Sequence, residues 1–140
     1  MPTRRRSFAL TILSFALLTG CVGAPDDVAM LDGKRSLSRD SEHGLVEASV
    51  SLESPKISRG PNDFAITLRA LADASAPTLM SVDASMAAHG HRASAANIVS
   101  DGQTFHALDL DLFMSGRWQI VLGVELDASS DQVEFALDVP

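Results

Sequence analysis

Tyrosine is absent from this chain, cysteine occurs once, and the aromatic complement is one tryptophan and six phenylalanines. A single thiol excludes an internal disulfide, a Cys-rich zinc cluster and a Cys–Cys redox pair. Positive charge is also scarce, with 11 Lys and Arg against 18 Asp and Glu and a net charge of −7. Such a surface is repelled by phosphate backbones, so nucleic acid is not an expected partner. Long apolar runs are missing too. The most extended is Phe8 to Leu18, interrupted by Thr11 and Ser14, and a membrane-spanning helix needs about 20 apolar residues. No Gly-x-Ser-x-Gly elbow and no Gly-rich phosphate loop is present, and no nucleophile stands framed by a base, so nothing argues for an enzyme.

The N-terminus reads as a targeting segment. Arg4, Arg5 and Arg6 precede the short apolar run, and small residues follow it, which is the layout of a secretory signal. Leu18-Thr19-Gly20-Cys21 resembles a bacterial lipobox. On that resemblance residues 1–20 are a lipoprotein signal peptide, and Cys21 becomes the acylated N-terminus that anchors the chain to a membrane, facing the periplasm or exterior. Two or more acyl chains give stable anchoring. Loss of residues 1–20 removes three Arg and no acid, leaving eight Lys and Arg against eighteen acids, a net charge of −10. Residues 21–43 are polar, with scattered apolar positions and no sustained period, and read as a tether. Residues 44–140 form one domain-sized unit.

That unit alternates apolar and polar residues with period 2, the pattern of half-buried strands. Val46, Ala48, Val50 and Leu52 form one such set; Phe64, Ile66, Leu68 and Ala70 a second; Met80, Val82 and Ala84 a third. Leu108, Leu110 and Leu112 follow, then Trp118, Ile120, Leu122, Val124 and Leu126, then Val133, Phe135, Leu137 and Val139. A short segment near Ala95 to Ser100 supplies a seventh candidate. Turn chemistry separates them at Ser54-Pro55, Arg59 to Asn62, Ala76-Pro77, Asp101-Gly102, Ser115-Gly116 and Ser129 to Asp131. Residues 84–96 are Ala-rich, but Gly90 and the lack of an apolar face favour a loop over a helix. The expected fold is all-β, an immunoglobulin-like antiparallel β-sandwich of six or seven strands with Trp118 at its centre.

Beyond the signal the chain holds four histidines (His43, His89, His91, His106) and four methionines (Met30, Met80, Met86, Met114). Met86-Ala87-Ala88-His89-Gly90-His91 is their one local cluster. Thioether is a soft ligand suited to Cu(I), and imidazole serves Cu(I), Cu(II) and Zn. The small residues between the donors leave the backbone free to close a chelate. The alternative is that the His pair is solvated and the Met packs the core. His106 shares the alternation of Leu108, Leu110 and Leu112, so it is expected to point inward or sit at the core's edge. His43, in the tether, is expected to be solvated.

Three blocks, in order, resemble the YtkA-like domain family of small exported β-sandwiches, related in pattern to FixH-like proteins. Gly60-Pro61-Asn62-Asp63-Phe64-Ala65-Ile66 is similar to its opening strand. Met86 to His91 echoes its Met-Pro-x-Met-Gly-His motif, and Phe105 through Met114-Ser115-Gly116-Arg117-Trp118 its later aromatic-led strand. The resemblance implies extracytoplasmic copper handling or assembly of respiratory complexes, with Met86, His91 and Met114 as ligands. His89 stands where the family has Met, and Ala87 where it has Pro, which shifts the donor set from sulfur toward nitrogen. Two expectations follow for the domain. One is a copper site of Met86, His89, His91 and Met114, with His106 as a further candidate; the other is a metal-free module that docks onto another cell-envelope protein.

Overall fold

Alternation becomes strand, and strand parity selects the core. A computed structural model describes residues 36–73, 75–95 and 97–140; the lipobox, Cys21 and Met30 lie outside them. Nine strands are present among the described residues: β1 Leu37–Asp40, β2 Val46–Leu52, β3 Gly60–Ala70, β4 Thr78–Met86, β5 His91–Ser94, β6 Asn97–Ser100, β7 Phe105–Leu112, β8 Gly116–Leu126 and β9 Ser129–Val139. They form two antiparallel sheets, ordered β1-β2-β3-β7-β6 and β5-β4-β8-β9. The sheets pack face to face as a β-sandwich of immunoglobulin-like character, as the alternation requires.

The inward sets are largely those expected. Val46, Ala48, Val50 and Leu52 meet Phe64 and Ile66 of the first sheet, and Trp118, Ile120, Leu122 and Val124 meet Val133, Phe135 and Leu137 of the second. Trp118 is fully buried at 0% exposure. The β8–β9 hairpin turns through Asp127 and Ala128, both at positive φ (49° and 63°). That turn hand matches the twist of the strands it joins. Ser129 to Asp131, expected as the turn, therefore belongs to β9.

Two bulges invert the expected parity. Between Leu79 and Ser81 the β4–β8 register shifts; Leu79 takes the inward position and Met80 is turned out, 58% exposed. On β7, Asp109 adopts φ 56°, and its N–H is held by the Asp63 carboxylate at 2.8 Å. The β3–β7 register slips between Asn62 and Phe64 beside it. Leu110 and Leu112 remain inward, but before the bulge Ala107 is the buried residue and His106 faces outward. An extra residue in one strand reverses every side chain on one side of it.

The folded body also begins earlier than residue 44. β1 pairs with β2 from Leu37↔Val50 to Asp40↔Glu47. Residues 37–43, expected as tether, are part of the sandwich. The strand count is nine rather than six or seven because β1 and β5 are four-residue edge strands of mixed polarity, too short to show a period; β6 is the expected seventh strand near Ala95 to Ser100. β5 lies within the Ala-rich stretch that was expected to be a loop.

Candidate functional site

The β4–β5 hairpin and the β7–β8 crossover reach the same end of the sandwich. Met86 closes β4 and pairs directly with His91 at the start of β5. Its carbonyl accepts the N–H of His89 at 3.1 Å and of Gly90 at 2.9 Å. Gly90 sits at φ 68°, a left-handed conformation that suits glycine at this tight reversal. The hairpin tip therefore carries both imidazoles, His89 exposed and His91 half-buried. Their ring centroids lie 6.1 Å apart. A ring whose nitrogen binds a metal at about 2 Å has its centroid ~3 Å from it, so one ion spans two rings up to ~6 Å apart. The observed pair lies at that limit but stacked, with planes 30° apart, so one ion held by both nitrogens requires the exposed His89 to change rotamer.

From the other sheet the chain leaves β7 at Leu112 and passes Phe113, Met114 and Ser115 before entering β8. Phe113 places its ring against His91, centroid to centroid 5.2 Å, and against Trp118 at 5.4 Å, both edge to face. The Trp118 indole N–H donates to the Met114 carbonyl at 2.9 Å. Trp118 thus fixes the crossover segment from below while Phe113 bridges it to the hairpin. Met114 is half-buried there. Gly116, at φ 122°, leaves room for the terminal methyl of Met86, which lies 3.4 Å from where a Cβ would stand.

So the structure brings Met86, His89, His91 and Met114 to one end, but not to equal depth. Met86 is only 2% exposed and packs in the core, and the half-buried Met114 packs against that core; the two imidazoles are the more accessible donors. Phe113, 42% exposed, is the contact residue the sequence reading missed. It follows the last inward Leu of β7, and an aromatic just past a strand end, beside a glycine turn, was the available signal.

His106 does not join this group. It pairs with Ala65 and Val99 near the start of β7, while Met114 lies beyond the other end, eight residues on, or roughly 26 Å along an extended chain. Its Nδ1 is hydrogen-bonded to Glu53, and its Nε2 lies 3.6 Å from an Asp101 oxygen. The Glu53 contact, with Asp101 adding to it against a desolvating opposition, raises the His106 pKa above the ordinary histidine value. Carboxylates beside both ring nitrogens favour the protonated ring, which ties the β2–β3 connection to the β6–β7 turn and competes with any metal for its lone pair.

Among the described residues no three His, Cys, Asp or Glu side chains gather so as to hold a metal ion. Imidazole and thioether side chains at one end are donors that suit soft cations better than Ca or Mg. Comparisons with protein-family models, with curated proteins and with solved structures return no significant match.

Proposed function

We propose that this chain is a lipid-anchored, extracytoplasmic β-sandwich that holds copper through His89, His91 and Met114, with Met86 behind them. On this reading it serves metal handling or the assembly of a respiratory complex, without catalysis. One observation supports it: the hairpin that carries His89 and His91 and the crossover that carries Met114 meet at a single end, around Phe113 and Trp118. Two imidazoles beside a half-buried thioether suit both copper oxidation states, and the exposed His89 favours transfer over permanent storage. The anchor rests on Arg4 to Arg6, the short apolar run and Leu18-Thr19-Gly20-Cys21. Intact mass of the membrane-extracted protein is expected to show Cys21 as an acylated N-terminus; a mass retaining residues 1–20 would remove the anchor.

Trp118, the only tryptophan, lies one aromatic ring away from His91 and reports on the site. Cu(II) is expected to quench its fluorescence with 1:1 stoichiometry. A His89→Ala, His91→Ala double variant should lower that affinity at least about tenfold, a loss of ~1.4 kcal/mol. Quenching that is unchanged in the double variant removes the copper site. The burial of Met86 favours the second reading, a metal-free module for another envelope protein, and that reading stands if no copper binds.

A further inference from the structure

A second group of soft and imidazole donors lies far from the hairpin end, where the β1–β2 turn crosses the second sheet. A cleft of about 280 Å³ is lined there by Glu42, His43, Met80, Gly123, Asp131 and Gln132, among others. Its construction depends on three features. The β4 bulge turns Met80 out of the core. Gly123, paired with Ser81 on one side and Gln132 on the other, contributes no side chain to the floor, and the Ser81 hydroxyl fills the space a Cβ there would take, 2.7 Å away. The β1–β2 turn is tied to β9, with the Glu42 N–H donating to the Gln132 carbonyl at 2.8 Å, and this brings His43 over the opening.

The His43 ring is held in one tautomer. Asp131 is buried, its side chain 1% exposed, and its carboxylate faces Nδ1 of His43 at 2.9 Å. It also accepts the His43 and Gln132 backbone N–H groups. An ionised carboxylate at that distance requires a proton on Nδ1, so neutral His43 carries its lone pair on Nε2. Among the described residues Nε2 has no hydrogen-bond partner, and the ring is 68% exposed. A carboxylate that orients one ring nitrogen and raises the basicity of the other is the support found behind metal-bound histidines.

We propose that His43 Nε2 and the Met80 thioether bind a soft monovalent cation, Cu(I) or its analogue Ag(I), as a second site independent of the one at His89 and His91. The absence of a three-member His, Cys, Asp or Glu group among the described residues is what restricts the ion. One imidazole and one thioether suffice for a low-coordinate Cu(I), whereas Zn or Ca would lack ligands. Glu42, on the cleft wall, and Asp131 supply negative charge. Because a proton competes for Nε2, binding weakens as His43 becomes an imidazolium. The site is separate from the first: Met80 and Met86 are six residues apart on β4, roughly 20 Å.

The test is an Ag(I) titration of the full-length chain carrying Cys21→Ser, so that no thiol competes, followed by NMR of the His ring nitrogens and Met methyl groups. The expected result is a saturable shift of His43 Nε2 together with the Met80 methyl, while the Nδ1–H stays in place. Met80→Leu, an exposed substitution that leaves the core intact, should abolish the His43 shift. Asp131→Asn should weaken it about 10- to 100-fold. If His43 and Met80 stay unmoved at saturating Ag(I), the second site is overturned, whatever happens at His89 and His91. It is equally overturned if the His43 shift survives Met80→Leu. Movement at His43 and Met80 with none at His89 and His91 would instead support this site and remove the first.

Discussion

Replacing Trp118 with alanine is expected to cost about 3–5 kcal/mol, the range for removing a fully buried large aromatic. The midpoint of chemical denaturation is the measurement that checks it. For a domain of this size total stability is of order 5–15 kcal/mol, so this one change removes a large share. The effect has two separable parts. The indole fills the space between the sheets with no solvent contact, and its N–H holds the Met114 carbonyl. Trp118→Phe retains most of the apolar contact but loses that bond, at a net cost of about 1 kcal/mol for the bond itself. It should therefore leave the domain folded while loosening residues 113–115. If the hairpin end binds copper, Trp118→Phe should weaken binding even though it changes no ligand. A Trp118→Ala variant that unfolds at the wild-type midpoint would contradict the central place given to this residue.

The two bulges explain how much of this architecture was legible in the residues. β2, β8 and β9 alternate without interruption over seven or more positions, and their buried faces are those the alternation predicts. β4 and β7 alternate as clearly, yet Met80 is turned out of the core, and His106 is half-buried out of line with the inward Leu110 and Leu112. A bulge leaves no mark in an apolar–polar pattern when the extra residue itself matches the pattern, as Asp109 does between two leucines. The edge strand β1, Leu-Ser-Arg-Asp, resembles a linker because one half-buried leucine is all its inner face requires. For the site, the nearness of Met86, His89 and His91 is local sequence, and only the placement of Met114 needed the fold. Asp131 was overlooked though a signal existed: it stands in phase with Val133, Phe135, Leu137 and Val139, an acid on an apolar face. A carboxylate in that register must find buried donors, and it does.

Those donors make acid the condition that unlocks the β1–β2 turn. Burial by itself would push the Asp131 carboxyl up. Hydrogen bonds from the Ser41 hydroxyl, the His43 ring and the backbone N–H groups of Gln132 and His43 outweigh it and hold the pKa at about 2, against an ordinary 3.8. A depressed folded-state value contributes stability above the unfolded pKa and loses it as pH falls through the folded one. The expected loss is about 2 kcal/mol between roughly pH 5 and pH 2, and Asp131→Asn should flatten that part of the pH–stability curve. His43 works in the opposite direction. Its hydrogen bond to Asp131, then the charge of Asp131, with Glu42 adding a little, raise its pKa against a small desolvation effect. A raised value contributes stability below the unfolded pKa of 6.5 and loses it as pH climbs through the folded one. His106, raised by Glu53 and Asp101, has the same sign. Thermal unfolding followed across pH should therefore show its highest midpoint in mildly acidic solution, between the carboxylate loss below and the imidazole loss above. His43→Gln with His106→Gln should remove the decline on the alkaline side and, because the His43 ring is one of the donors that hold the Asp131 carboxyl down, soften the acid side without abolishing it. An acid side equally steep in Asp131→Asn would mean that some other carboxylate governs it, and that the β1–β2 turn is not locked through Asp131.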